Sequence, residues 1–425
     1  MKSLTIGLFG FGCVGQGLYE TITNSTNFSG EIKQICIKHP EKNRSLPQHL
    51  FTTDPSDLIK DPEIDIIVEL IDDATVAKEL VIQALRNGKS VVSANKKMIA
   101  NHLEELVKVQ EETGKALLYE GAACGSIPII RTLEEYFGHE PLNALQGIVN
   151  GSTNYILTQV FTQHLPYGLA LEKAQALGFA ESDPRLDVQG EDAKYKLVIL
   201  LAHAFGLFVH PEDILTLGID RISAYDLDYA RANDLEIKLF ATARKVGNEV
   251  FAFVLPQFVH QSHSLLNVRD EFNALSLIGE FCDEQRFIGK GAGSLPTGAA
   301  VLSDVSALSY DYQYEYKKRR SLPVEQFSNE SLVEAYVRFN NPKAIDLHLF
   351  ESISERRFSF EQSHVIGELC LEKIVEGNWQ NNADVNIVLT PKEPRETLGR
   401  LSVGLLQEDV IALQKGKNVL EKISV

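Results

Sequence analysis

The sequence predicts an α/β protein in three parts: a parallel-sheet domain over residues 1–128, an α+β domain over 129–288, and a βαββαβ domain of ferredoxin-like layout over 332–425. Three observations carry this. The first third alternates short β-branched runs with helix-period segments, the pattern of βαβ units. A glycine-rich turn, GFGCVG, follows the first of those runs directly. The last hundred or so residues alternate again, in the order expected of a ferredoxin-like layer. At 425 residues the chain is also too long for a single core.

In order, the N-terminal strand candidates are LTIGLF, IKQICIK, DIIVEL, KSVVSA and KALLYE. Between them lie helical segments such as VAKELVIQALRNG, ending on Gly88, and KKMIANHLEELVKVQEETG, ending on Gly114. Glycine is the usual residue just past a helix end. From about Ile127 to Ala307 the pattern becomes α+β, and it includes the turn-rich GKGAGSLPTGAA. YDYQYEYKKRRSLPVEQFSNES is polar, holds a basic run and Pro323, and reads as a linker over about 309–331. Beyond it, LVEAYVRF reads as strand, AIDLHLFESIS as helix, FSFEQSHVIG and ADVNIVLT as strands, RETLGRLSVGLL as helix and VIALQK as strand.

Acids outnumber bases 58 to 41, a net charge of -17. That balance argues against nucleic acid or an anionic membrane as partner. No apolar run approaches the roughly 20 residues needed to span a bilayer. The glycines of MKSLTIGLFGFG suit a strand entering a tight turn rather than a signal peptide. Five scattered cysteines without a CxxC pair indicate a reduced, cytoplasmic chain with no disulfide framework. Eleven histidines without HxH or HExxH spacing make a transition-metal site improbable.

Gly10-Phe11-Gly12-Cys13-Val14-Gly15 has a mechanism where it stands. Gly10 makes the turn, Gly12 lets backbone approach a pyrophosphate, and Gly15 lets helix and strand pack closely. The phosphate then rests on a helix N-terminus. This makes the N-terminal domain a Rossmann-type dinucleotide site. A ribose-gripping acid is expected at the end of the second strand, but Lys38 and His39 stand there, followed by Lys42 and Arg44. Bases suit a 2′-phosphate, so NADP(H) is favoured over NAD(H).

The most unusual stretch is ESDPRLDVQGEDAKYK, Glu181 to Lys196, which runs into the apolar LVILLAHAFG. Asp192 and Lys196 fall one turn apart on a helix about to be buried, with Asp187 as a candidate N-cap. Read blandly, they form a surface i,i+4 pair worth about 0.3–0.5 kcal/mol. Read functionally, Glu181, Asp183, Asp187 and Asp192 hold an ammonium group beside a working lysine. Lys96, in SANK after the fourth strand, lies at the sheet edge where ligands bind in doubly wound folds. GIVNGSTN, Gly147 to Asn154, is either a site-lining run or a capped turn. Cys124, in GAACGSIP, is either an acylating nucleophile or a packed small residue.

Taken together, GLFGFGCVG, DIIVELI, VVSANKKMIA, YEGAACGSIPII, GIVNGSTNYIL, ALGFAESDPRLDVQGEDAKYKLVILLAHAFG and GKGAGSLPTGAAVLSDV resemble homoserine dehydrogenases, over roughly the first 308 residues. The resemblance implies reversible, NAD(P)H-dependent reduction of L-aspartate 4-semialdehyde to L-homoserine, on the branch leading to threonine and methionine. It also implies a homodimer or larger assembly acting on a small molecule, and a nucleotide domain completed by about 289–308. Lys196 resembles the family's proton-donating lysine and Lys96 its second lysine. Asp192, Glu181, Asp187 and Thr153 match substrate-pocket positions. Ser93, Gly178 and Gly291 join Lys38, Lys96 and the glycine loop on the cofactor. The carbonyls of Glu120, Ala123, Gly125 and Ile127 match a sodium loop.

The chain departs from the family pattern at Asp72-Asp73, where a Gly-Gly pair is usual, so weakened or repositioned dinucleotide binding is expected. The C-terminal segment resembles an ACT domain, although NNPKAIDLH lacks the usual effector-site glycine. Two other functions compete: an acylating semialdehyde dehydrogenase using Cys124, and a non-catalytic NADP-binding regulator.

Overall fold

In the computed structural model, residues 3–320, 324–359, 362–392 and 395–396 are described, and they fall into two compact units that meet at residues 327 and 328. No helix among the described residues is long and apolar enough to cross a membrane.

The first unit opens with β1 (Leu4–Phe9), α1 (Cys13–Asn24), β2 (Gly30–Cys36), β3 (Phe51–Thr52), α2 (Ser56–Ile59), β4 (Ile66–Glu69), α3 (Ala74–Arg86), β5 (Ser90–Ser93), α4 (Lys96–Thr113) and β6 (Leu117–Leu118). The six strands form one parallel sheet in the order β3-β2-β1-β4-β5-β6. All five expected strands are present, because their apolar runs are buried on both faces, as a parallel sheet requires. Gly114 ends α4 in the left-handed region at φ +63°, where a side chain would be strained.

Next come α5 (Ile129–Arg131), β7 (Leu142–Ile148), α6 (Gly151–Thr162), α7 (Tyr167–Ala176), α8 (Arg185–Val188) and α9 (Glu191–Ala204). They are followed by β8 (Leu215–Thr216), α10 (Ala224–Ala232), β9 (Leu235–Val246), β10 (Glu249–His260), β11 (Phe272–Gly279), β12 (Asp283–Lys290) and α11 (Ser294–Leu308). Strands β12-β11-β7-β9-β10 make an antiparallel sheet, and α6 and α9 pack against it. Helix α11 returns to the parallel-sheet layer and lies on α1. A methyl group at Gly17 would stand 2.0 Å from the Ser294 carbonyl, and one at Gly298 would stand 2.5 Å from the Gly17 backbone. The two helices therefore touch backbone to backbone. Residues 310–320, read from sequence as part of a linker, dock in this unit, where Tyr314 and Tyr316 are buried.

In the second unit, Ser331–Phe339 pairs antiparallel with Ser363–Cys370 and with Val385–Leu389, and Phe350–Arg357 pairs with Ser363–Cys370. AIDLHLFESIS is not the expected helix. Pro342 starts a short turn, Leu347–Leu349 makes another, and Phe350–Arg357 is a strand. Proline removes a donor and fixes φ, which favours a turn there over a helix interior. The one longer helix, Leu371–Glu376, falls after the third strand, so the described order is βββα followed by strands, not βαββαβ. Arg395–Glu396, expected to begin a helix, is extended and pairs with Ser331 and Leu332. The remainder of RETLGRLSVGLL and the strand VIALQK lie outside the described residues.

Candidate active site

Helix α9 begins at Gly190, whose φ of +84° lets the chain turn sharply out of α8. Gly190 thus takes the N-cap position expected of Asp187, which sits instead on α8. Asp192 and Lys196 are in the first turns of α9, each 6% exposed, and the residues after them are apolar and fully buried. Lys196 Nζ donates to Asp192 Oδ2 at 2.8 Å and to the Val149 carbonyl at 2.6 Å. Lys96, the first residue of α4, places its Nζ 2.8 Å from Asp192 Oδ1 and is 42% exposed. Helices α4 and α9 pack together, which brings both lysines onto one carboxylate.

Asn150, which caps α6, completes the cluster. Its Oδ1 accepts from Thr153 N at 2.8 Å, and its Nδ2 donates to Asp187 Oδ1 at 2.7 Å and Asp192 Oδ2 at 2.9 Å. Burial would raise the Asp192 carboxyl, but the Lys196 and Lys96 ammoniums override it and hold it well below the usual carboxylate range. Burial, and then the Asp192 charge, raise the Asp187 carboxyl despite the Asn150 hydrogen bond. The Asp192 charge raises Lys96 against the opposing effect of burial.

A cavity of about 410 Å³ opens over this cluster, lined by Asp72, Asn95, Lys96, Glu181, Asp187 and Asp192 among others. Glu181 and Asp187 thus line the same cavity as Asp192. Asp183 also lines the cavity but is exposed and paired with Arg185. Thr153, expected to face substrate, is buried, and its hydroxyl donates to the Asn150 carbonyl at 3.1 Å. Asn150 and Val149 lie in the GIVNGSTN run, which both caps a helix and lines this cluster. The visible signal was an Asn followed three residues later by a polar helical residue, the pattern of a cap.

At the glycine loop, Gly10 has φ +90°, and a methyl there would lie 2.6 Å from the Leu70 carbonyl. One at Gly15 would lie 2.6 Å from the Gly10 carbonyl, whereas Gly12 faces open space. Gly12 is also the N-cap of α1 and offers no side-chain cap, so the helix's first N–H groups remain available to an anion. Lys38 is exposed just beyond β2. The Arg44 guanidinium lies 5.4 Å from the Phe51 ring centre, and Phe51 packs edge-on to Phe11 at 5.7 Å. The basic loop is thereby tied to the glycine loop. Gly178 lies past the end of α7 at φ +77°, and a methyl group there would meet nothing within 4 Å.

The Asp72-Asp73 pair divides its roles. Asp73 caps α3, accepting from Thr75 N at 3.0 Å and Val76 N at 3.1 Å, whereas Asp72 lines the cavity. Ser93 faces inward. Its hydroxyl donates to Glu69 at 2.6 Å, and Glu69 also accepts from Ile71 N at 2.7 Å. Burial pushes the Glu69 carboxyl up to about 7. Cys124 is 0% exposed, and burial pushes its thiol up to about 12. Nucleophilic cysteines are partly exposed and have depressed pKa values, so this thiol does not suit an acylating mechanism.

Residues 10–120 match the homoserine dehydrogenase NAD-binding domain, and residues 128–306 match the homoserine dehydrogenase domain. The homoserine dehydrogenase of Bacillus subtilis is 34% identical over 381 residues, covering 85% of this chain and 87% of its own. The chain belongs to the homoserine dehydrogenase family. Members are oxidoreductases that act on a CH–OH group with a nicotinamide dinucleotide. The enzyme of Lactococcus lactis is 36% identical over 314 residues, or 71% of this chain and 73% of that one. The crystal structure of a homoserine dehydrogenase from Thiobacillus denitrificans superposes with a TM-score of 0.80 at 29% identity, covering 92% of this chain and 99% of that one. A hyperthermophilic archaeal homoserine dehydrogenase in complex with NADPH superposes with a TM-score of 0.63 at 25% identity, covering 74% and 99%.

Proposed function

We propose that Lys196 is the proton donor in the reduction of L-aspartate 4-semialdehyde to L-homoserine, with NADP(H) as the preferred dinucleotide. The observation that carries this reading is the hydrogen-bond inventory of Lys196. Of its three N–H donors, one goes to Asp192 and one to Val149, which leaves one for a substrate oxygen. A bound dinucleotide supplies hydride to the aldehyde carbon. The protein's part is to stabilise and protonate the carbonyl oxygen as charge builds on it, and a dehydrated ammonium does both. Asp192 fixes that ammonium through one oxygen and Lys96 through the other. Glu181 and Asp187 are left to face the substrate's ammonium. An arriving cation favours ionised Asp187.

The residues present fit a dinucleotide. Gly10 and Gly15 allow close backbone approach, Gly12 opens the way to the α1 N-terminus, and Lys38 and Arg44 supply charge for a 2′-phosphate. The resemblance to a family member whose structure is in complex with NADPH supports the same preference. The 120–127 loop is proposed to bind sodium through the carbonyls of Glu120, Ala123, Gly125 and Ile127. Asp304, fully buried with Oδ1 unpartnered, accepts from Glu120 N at 2.7 Å at the head of that loop; burial, and then the Glu120 charge, push its carboxyl far above the ordinary range, and an arriving cation would favour its ionised form.

The proposed domain division is 1–128 with 289–308, then 129–288, and α11 lying on α1 supports it. Exposed Ile278, Phe281 and Ile288 on and between β11 and β12 support a homodimer. The five free cysteines support a cytoplasmic location. Purified protein should reduce NADP⁺ in the presence of L-homoserine at alkaline pH, and NAD⁺ less efficiently. No homoserine-dependent reduction of either cofactor would defeat the reading.

A further inference from the structure

Asn273 stands second in β11, fully buried, where the ends of β7 and β11 meet. Its Nδ2 donates to the Val149 carbonyl at 2.9 Å, the same carbonyl that accepts from Lys196 Nζ at 2.6 Å. A carbonyl oxygen only accepts, so this contact identifies which end of the amide is nitrogen. The amide is also hemmed in from the other side. A methyl group at Gly291 would lie 2.0 Å from Asn273 Nδ2 and 2.3 Å from Oδ1, so only glycine leaves room for it.

The approach to Asn273 is braced. Asn154 Nδ2 donates to the carbonyls of Asp270 at 2.9 Å and Phe272 at 3.1 Å, on the turn leading into β11. Asn154 Oδ1 accepts from Lys238 Nζ at 2.8 Å, and Lys238, itself buried, also donates to the Val268 carbonyl at 2.7 Å. An apolar cluster that includes Ile148, Phe240, Val268 and Ala274 packs behind. Val149 follows β7 directly, so its carbonyl needs a partner other than Lys196 to hold its direction.

We propose that Asn273 is a positioning residue for Lys196: it fixes the Val149 carbonyl so that the lysine's third N–H is aimed at the substrate oxygen. The proposal rests on Lys196 being the proton donor. Two donors on one carbonyl define a line, and with Asp192 the two acceptors of Lys196 define where its remaining N–H points. Without Asn273 the Val149 peptide is free to tilt, and the ammonium follows it. Small misplacements of a reacting group carry large rate effects.

The test compares Asn273→Asp, Asn273→Ser and Lys196→Ala with the wild-type full chain, measuring kcat against pH, KM for both substrates, and thermal unfolding. Asp keeps the shape of Asn but loses the donor and adds a carboxylate near Lys196. Its kcat should fall about tenfold or more, and the ionisation governing kcat should move to higher pH, because an added anion favours the ammonium. Ser is too short to reach Val149 and should lose kcat similarly, with KM for the dinucleotide within about threefold of wild type. It carries the test if a buried carboxylate prevents folding. Folded Asn273 variants with wild-type kcat and pH profile, even at a lower unfolding temperature, would overturn the proposal. Turnover retained by Lys196→Ala would instead bring down the underlying reading, and this inference with it.

Discussion

Lys96 reaches Asp192 from a different helix and a different layer: the first residue of α4 sits 2.8 Å from a carboxylate in the first turn of α9. This ion pair thus bridges helices α4 and α9 at the mouth of the cavity. Because Lys96 is 42% exposed, solvent screens the pair, and its contribution to stability is about 1 kcal/mol or less. Its contribution to function should be larger. Lys96→Met is expected to cost roughly 10- to 100-fold in kcat/KM, with an unfolding temperature close to wild type. A variant that loses stability but keeps kcat/KM would show the pair to be structural.

Cys124→Ala should leave homoserine-dependent turnover within about threefold of wild type, because the thiol is fully buried and held in its protonated form. A side-by-side rate measurement decides this. Phosphate-dependent oxidation of the semialdehyde by the wild type, abolished in Cys124→Ala, would restore the acylating mechanism that the site geometry disfavours.

Glu69 gives a pH signature. Burial pushes its carboxyl up to about 7, against an ordinary value of 4.5. Between those values the folded state carries a proton that the unfolded chain has lost. Stability therefore falls as pH rises through this window, by on the order of 1.4 kcal/mol per unit. Glu69→Gln, a neutral isostere, should flatten that decline in denaturant unfolding followed from pH 4.5 to 7. An unchanged slope would mean that Glu69 is ionised throughout.

Much of the site was legible because its chemistry is written locally. Asp192 and Lys196 are one helical turn apart, and Gly10 to Gly15 is contiguous. Burial on both faces made β1, β4 and β5 plain. What was left open, or in the case of Asn273 missed, depends on partners distant in sequence. Asn150, Val149 and Asn273 matter through contacts across 42, 47 and 124 residues. In the second unit, Ala344 to Ser354 was read as a helix since its few apolar residues fit either period, and Pro342 carried the better signal.

The most direct test of the central claim is the turnover of Lys196→Ala beside wild type, with saturating L-homoserine and NADP⁺. The reading predicts a kcat lower by roughly 10²- to 10⁴-fold, the usual worth of a positioned proton donor, with dinucleotide affinity within about threefold. A kcat within tenfold of wild type, in a variant that folds and binds NADPH normally, would contradict it.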